Sequence, residues 1–125
     1  MSRVLIVEDD EDTRLVLEET LQDLGHVVAA ANDGARALEM ARELHPDVAI
    51  VDIGLPQMDG YELAKRLRAA PDGTRDLKLI ALSGYGREKD RRRSEEAGFD
   101  VHLVKPASVD VIAELCRGKD RGRGK

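Results

Sequence analysis

Cysteine and aromatic residues are scarce in this chain of 125 residues. The single cysteine excludes an intramolecular disulfide and any Cys-x-x-Cys metal or redox site. Tryptophan is absent, and the other aromatic residues are only Tyr61, Tyr85 and Phe99, which argues against a stacking platform for single-stranded nucleic acid. The longest apolar run has five residues, whereas a membrane-spanning helix needs about 20. We therefore expect no membrane insertion.

Basic residues are also not in excess, because the chain has 20 lysines and arginines and 25 acidic residues, which gives a net charge of −5. This balance lacks the basic footprint of a nucleic-acid-binding domain, so we expect no direct nucleic-acid binding. Charges at Arg3 and Glu8 interrupt the N-terminus and argue against a signal peptide, which predicts a cytoplasmic protein. The length predicts one domain over residues 1–117, followed by a basic, glycine-rich, disordered tail over 118–125.

Short apolar runs alternate with longer helical patterns along the chain. The predicted strands cover residues 4–7, 27–31, 48–51, 79–82 and 101–104. Leucine, isoleucine, valine and alanine recur at helical spacing after the first, second, third and fifth strands, and residues 87–97 are helical by composition. Asp59 with Glu62 is typical of a capping box that opens the third helix. Buried strands separated by helices predict an α/β fold with a doubly wound parallel sheet. The pattern alone leaves the order of the strands open.

Polar residues follow four of the predicted strands. They are Glu8, Asp9 and Asp10 after the first strand, Asp52 after the third, Ser83 after the fourth and Lys105 after the fifth. The carboxyl ends of parallel strands share one edge of the sheet, where ligands bind. If the first and third strands are neighbours, their carboxylates crowd one pocket and need a compensating cation. Oxygen-only ligands suit Mg²⁺.

Asp52 directly follows a buried strand, where an unpaired carboxylate is costly. This position indicates a metal ligand that is also a nucleophile, since a carboxylate can form an aspartyl phosphate. Lys105 precedes Pro106, and a cis Lys105–Pro106 bond would aim the ammonium group in a fixed direction. That ammonium could pair with Asp52 and later with a phosphoryl group, to which Ser83 could donate a hydrogen bond.

Four segments, in this order and each at a strand end, resemble the response regulator receiver domain of two-component signalling. They cover residues 4–10, 51–60, 81–84 and 103–106. The resemblance to these CheY-like domains extends over residues 3–117 and is greatest for receivers of hybrid sensor histidine kinases. It implies a flavodoxin-like (βα)5 three-layer sandwich with strand order 2-1-3-4-5, which makes the first and third strands neighbours.

The resemblance also implies an acceptor and a metal site. By resemblance, Asp52 is the phosphoacceptor. Glu8, Asp9 and Asp52 hold Mg²⁺, with Mn²⁺ as the alternative ion. The backbone carbonyl of Gly54 is the further protein ligand.

Other positions are implied to act on the phosphoryl group once it is bound. By resemblance, Ser83 and Lys105 contact the phosphoryl group, and His102 occupies the switch position where many relatives carry tyrosine or phenylalanine. Gly54 and Tyr85 occupy the two positions that tune dephosphorylation. The resemblance therefore names a set of residues for transfer, for switching and for the lifetime of the phosphorylated state.

The implied function is phosphorelay signal transduction. A histidine kinase or a histidine phosphotransfer domain would donate a phosphoryl group to Asp52. The surface formed by the fourth helix, fifth strand and fifth helix would then change and control a downstream effector or relay the phosphate. Such a domain catalyses only its own phosphorylation and dephosphorylation and is not otherwise an enzyme.

Three alternative hypotheses compete with this function. A phosphatase with an aspartate nucleophile typically carries a second acid two residues later, where this chain has Gly54. A flavin-binding protein would need a phosphate loop after the first strand, and the acidic residues 8–10 would repel phosphate. The remaining alternative is a receiver fold that serves as an interaction module independently of phosphorylation.

The fourth helix, over residues 87–97, has almost no apolar face. Only Ala97, with Ser94 beside it, could face the sheet. A weakly anchored helix is expected to open locally more often than the rest of the fold.

The two histidines outside the switch position, His26 and His45, lie at the opposite edge of the predicted sheet. We expect both to be surface residues.

Overall fold

The computed structural model describes residues 2–55, 58–69, 77–84 and 88–117, and for residues 88 and 89 only the backbone. The predicted tail 118–125 and Tyr85 lie outside these residues. Strands and helices alternate in the order β1 (Arg3–Val7), α1 (Glu11–Asp23), β2 (Val27–Ala31), α2 (Gly34–Leu44), β3 (Val48–Asp52), α3 (Gly60–Ala69), β4 (Lys78–Ser83), α4 (Glu88–Ala97), β5 (Val101–Val104) and α5 (Val109–Arg117). The predicted alternation of five strands and five helices is confirmed.

The strands form one parallel sheet in the order β2-β1-β3-β4-β5. The order reverses direction after β1, so β1 and β3 are neighbours, with Ile6 paired to Ile50. This is the doubly wound, flavodoxin-like arrangement expected from the resemblance. It also creates a crevice at the carboxyl ends of β1 and β3, where ligands bind in folds of this type.

Each face of the sheet is covered by helices, which explains why the central strands are apolar on both sides. Alternate residues of β1 enter the two cores, since Leu5 packs in one cluster and Ile6 in the other. The cluster with Leu5 receives residues from α2, α3 and α4, and the cluster with Ile6 receives residues from α1 and α5. The three-layer sandwich is confirmed. In the described part of the chain, no helix is long and apolar enough to cross a membrane.

His26 is buried, so the expectation of a surface residue is wrong for this histidine. Its Nδ1 accepts a hydrogen bond from the backbone N–H of Ser2 at 3.0 Å, because Ser2 precedes β1 and β1 pairs with the strand that follows His26. A contact between the ends of two neighbouring strands cannot be predicted from the local sequence pattern. His45 is exposed, as expected, and ends α2 in a left-handed conformation with φ of 51°.

Helix α4 is attached to the sheet by a minimal apolar surface. Ser94 and Ala97 are the only buried residues among the α4 side chains that the structure describes. Helix α5, in contrast, buries Ile112 and Cys116 and is strongly amphipathic in sequence. This difference confirms the sequence-based expectation that the fourth helix lacks an apolar face.

We expect the amides of α4 to exchange with solvent at least about tenfold faster than those of α5, because fewer buried contacts are lost when α4 opens. Hydrogen exchange followed by NMR measures the two helices in one sample. The amides of β3, which is buried along its whole length, give the protected reference. Protection in α4 equal to that in α5 would contradict the prediction.

Candidate functional site

Side chains from four neighbouring strand ends surround the crevice at the carboxyl edge of the sheet. Glu8 follows β1, Asp52 is the last residue of β3, Ser83 is the last residue of β4 and Lys105 follows β5. The structure therefore brings together the strand-end residues that the sequence singled out. The sheet order is what does this, since β1, β3, β4 and β5 lie side by side.

Three carboxylates form a cluster in this crevice. One oxygen from each of Glu8, Asp9 and Asp52 lies within 4.8 Å of the others. Glu8 and Asp52 are buried, while Asp9 is exposed. Glu8 Oε1 is buried and accepts no hydrogen bond from the residues that the structure describes, although it forms an ion pair with Lys105 Nζ. An all-oxygen, anionic donor set with one open side and an unsatisfied buried oxygen fits a Mg²⁺ ion.

Lys105 partly neutralises the cluster. Its Nζ lies 3.3 Å from Asp52 Oδ1 and 3.4 Å from Glu8 Oε1, so one ammonium group bridges two buried carboxylates. Burial opposes the charge on Lys105, but the Asp52 and Glu8 carboxylates outweigh it and raise the pKa of the lysine. Lys105 thus stays cationic beside Asp52.

One cation does not compensate the charge on Glu8. Burial, together with the neighbouring Asp52 carboxyl group, raises the pKa of Glu8 from 4.5 to about 7. A backbone hydrogen bond from Asp10 and the charge of Lys105 act in the opposite direction and are weaker. The cluster therefore favours additional positive charge.

Asp10 is separate from the cluster, although it is adjacent to it in sequence. Its carboxylate caps α1 and accepts a hydrogen bond from the backbone N–H of Thr13 at 3.0 Å. The Thr13 hydrogen bonds lower the pKa of Asp10. Of the acidic residues after β1, Glu8 and Asp9 face the crevice and Asp10 stabilises the helix.

The loop after Asp52 is fixed by backbone contacts on both sides. Ile53 N–H donates to the carbonyl of Leu82 at 2.9 Å, and Gly60 N–H donates to the carbonyl of Ile53 at 2.9 Å. Gly54 N–H donates to Asp52 Oδ1 at 3.1 Å, which orients the carboxylate. Gly54 is exposed beside the cluster.

His102 and Ser83 lie on the side of the crevice nearest the edge strand β5. His102 is half-buried on β5, and its Nδ1 lies 2.6 Å from Ser94 Oγ of α4. Ser83 is buried, and its carbonyl accepts a hydrogen bond from Lys105 N–H at 2.7 Å. The Lys105–Pro106 peptide bond is cis.

Sequence reasoning missed Arg14. Its Nη1 donates to the carbonyl of Glu8 at 2.9 Å, so α1 holds the backbone from which the acidic pair projects. Its position in the sequence could have indicated this contact. Helix α1 begins directly after the acidic residues, and an arginine three residues into the helix can reach back to the end of β1.

Comparison with known proteins agrees with this geometry. The model of the response regulator receiver domain family matches residues 4–117. An uncharacterised 14.6 kDa protein of Leptolyngbya boryana is 40% identical over 117 residues, which cover 90% of this chain and 88% of that protein. The transcriptional regulatory protein PrrA of Mycobacterium tuberculosis is 42% identical over 113 residues, and the match covers 90% of this chain and 46% of PrrA. The chain thus spans about half the length of that regulator.

A solved structure of a receiver domain shares the fold of this chain. The receiver domain of the sensor histidine kinase PA1611 from Pseudomonas aeruginosa PAO1 superposes with a TM-score of 0.84 at 30% identity, covering 94% of this chain and 96% of that one. That domain has a magnesium ion coordinated in its active site cleft.

Proposed function

Because this chain belongs to the response regulator receiver domain family, we propose that Asp52 accepts a phosphoryl group from the phosphohistidine of a histidine kinase or of a histidine phosphotransfer domain. The observation that carries the proposal is the convergence of Glu8, Asp9, Asp52 and Lys105 at one crevice. A buried carboxylate nucleophile beside a fixed cation is the arrangement that phosphoryl transfer needs.

In the proposed reaction, an oxygen of Asp52 attacks the phosphorus atom in line with the bond to the donor histidine. The new P–O bond forms as the P–N bond breaks, and the electron pair of that bond returns to the imidazole nitrogen. Lys105, 3.3 Å from Asp52 in the structure, neutralises charge on the transferring oxygens. The Gly54 N–H holds the acceptor carboxylate in one orientation.

Glu8, Asp9 and Asp52, with the backbone carbonyl of Gly54, are the residues that would hold Mg²⁺. When bound, the ion supplies positive charge to the phosphoryl oxygens as negative charge develops on them. The donor set of the cluster supports this choice, and so does the pKa of Glu8, which burial and the neighbouring Asp52 carboxyl group raise to about 7.

The proposal extends to a response at the α4–β5–α5 surface. A phosphoryl group on Asp52 would draw in the hydroxyl of Ser83, and His102 would move into the space that Ser83 leaves. Such a movement changes the surface that α4, β5 and α5 present to an effector protein. The charge of the phosphoryl group would thus shift the equilibrium between two arrangements of this surface. The chain catalyses no reaction beyond its own phosphorylation and dephosphorylation.

The proposal predicts one Mg²⁺-dependent phosphoryl adduct. We expect intact-mass spectrometry after incubation with acetyl phosphate and Mg²⁺ to show a single phosphoryl group on the wild type. The Asp52→Asn variant and a wild-type sample in chelator are expected to show none, because one lacks the nucleophile and the other lacks the ion. Asp33→Asn is the matched control, since asparagine also caps α2 and Asp33 is outside the cluster.

Two results would contradict this proposal. An adduct that survives in Asp52→Asn would place the acceptor elsewhere. Absence of an adduct in the wild type, together with no binding of the phosphoryl mimic beryllofluoride, would favour a receiver fold that acts as an interaction module without phosphorylation.

A further inference from the structure

Helix α4 is attached to the sheet by polar contacts where the other helices use apolar ones. Ser94 is 1% exposed and Ala97 is 3% exposed, so a hydroxyl occupies one of the two buried positions that the structure describes on this helix. A buried hydroxyl needs a hydrogen-bond partner, and that partner is His102 on β5, at 2.6 Å. The attachment of α4 therefore depends on the position of one histidine ring.

A second polar contact joins α4 to the neighbouring helix α3. The guanidinium of Arg93 lies over the ring of Tyr61 on α3, 4.2 Å from its centroid. Contacts of this type are weak at exposed sites, because water screens the charge. Arg93 is exposed, so this contact is weaker than the buried Ser94–His102 bond and does not replace it.

We propose that Ser94 is a positioning residue that fixes α4 to β5 through His102, and that α4 is released when the His102 ring moves. The hydroxyl and the ring share one buried bond, and a ring that turns toward the sheet carries Nδ1 away from Ser94. The hydroxyl then lies buried without its partner unless α4 moves outward to water. This release deepens the proposed function and rests on it, because phosphorylation of Asp52 is what would move the ring.

The attachment itself is tested in the unphosphorylated protein. We expect the Ser94→Ala variant to raise the exchange rates of α4 amides on the order of tenfold while those of α5 stay unchanged. The Glu95→Ala variant is the matched control, because Glu95 is the exposed neighbour on the same helix. Equal α4 exchange in Ser94→Ala and the wild type overturns the proposal, whether or not the chain accepts a phosphoryl group.

A spectroscopic measurement separates a positioning role from simple loss of packing. We expect Ser94→Ala to shift the imidazole Nδ1 resonance of His102 and to leave that of the exposed His45 unchanged. The double variant Ser94→Ala/His102→Phe removes both polar partners, and we expect its α4 exchange to be slower than in Ser94→Ala alone. An unchanged His102 resonance, or α4 exchange in the double variant as fast as in Ser94→Ala, overturns the proposal.

The release is tested in the phosphorylated wild type, with intact mass measured on the same sample. We expect α4 exchange to rise toward the level of unphosphorylated Ser94→Ala and the His102 resonance to shift in the same way. A phosphoryl group on Asp52 with no change in α4 overturns the release and leaves the proposed function intact. Absence of a phosphoryl group together with no beryllofluoride binding refutes the proposed function and the release with it, while the unphosphorylated variants still decide the attachment.

Discussion

Replacing Glu8 by glutamine is expected to stabilise the fold near neutral pH in the presence of a chelator. The pKa of Glu8 rises from 4.5 to about 7 on folding, because the side chain is buried and faces Asp52. The folded state therefore binds a proton more tightly than the unfolded state between these values, and the wild type loses stability as the pH rises through this window. Glutamine carries no such charge and is expected to escape that loss.

The expected gain for Glu8→Gln is about 1–2 kcal/mol at about pH 8, and it falls toward zero below about pH 5. This gain is smaller than the free energy that the full pKa shift implies, because solvent reaches the exposed Asp9 and screens part of the electrostatic cost of charging Glu8. Urea unfolding followed by circular dichroism at several pH values measures the difference between the two proteins. Only the part of the difference in unfolding free energy that changes with pH tests the raised pKa of Glu8. A difference that is the same at every pH would reflect packing.

Asp10→Asn is the control with the opposite sign. The Thr13 hydrogen bonds lower the pKa of Asp10, so its contribution to stability is present above its unfolded pKa and is lost as the pH falls through its folded pKa. We expect Asp10→Asn to be less stable than the wild type at neutral pH, with a difference that shrinks in acid. Parallel pH profiles for Glu8→Gln and the wild type would rule out a buried, uncompensated carboxylate at Glu8.

Much of the fold follows from local sequence, because the strands are short runs rich in apolar residues and every helix except α4 has an apolar face at helical spacing. Strand order did not follow from this pattern, since parallel strands of similar composition can be arranged in several ways. The resemblance of the segments at 4–10, 51–60, 81–84 and 103–106 supplied the order, and the observed sheet has it. The convergence of Glu8 and Asp52 depends on that order alone.

The parts that sequence reasoning missed are contacts between residues distant along the chain. Arg68 of α3 illustrates this: it donates to the carbonyls of Leu77 and Gly98 and pairs with Asp100 at 2.9 Å. In the sequence it is one arginine of a charged helix, with nothing to mark it as part-buried. The burial of His26 and the Ser94–His102 bond are of the same kind, because each depends on how two elements lie against each other.

Asp10 shows a different limit, which is chemical. An aspartate between a strand and a helix is suited both to capping the helix and to binding a cation, because either use needs a side-chain oxygen at that position. The run of three acidic residues therefore predicted a carboxylate cluster, but the run alone did not show which of the three belong to it. The backbone decides, since the side chain of Asp10 turns toward the first turn of α1 and accepts the N–H of Thr13.

Replacing Gly60 by alanine is expected to destabilise the fold and to disturb the acceptor. A Cβ atom at Gly60 would lie 2.8 Å from Ile53 Cα and 2.9 Å from the carbonyl oxygen of Asp52. Both are backbone atoms that cannot rotate away, so either the first turn of α3 or the end of β3 must shift. We expect a loss of about 2–3 kcal/mol in the free energy of unfolding, in the range of overpacked interiors.

The same shift is expected to slow phosphorylation, because it moves the peptide that carries Asp52 and breaks or lengthens the 2.9 Å hydrogen bond between Gly60 N–H and Ile53. The stability control is Gly54→Ala in the same loop, where a Cβ meets, among the described residues, only Asp52 Oδ1 at 3.8 Å. Alanine there is expected to change the free energy of unfolding by less than about 1 kcal/mol. If Gly60→Ala were as stable as Gly54→Ala, the close approach of α3 to the acceptor strand would not be what requires glycine at position 60.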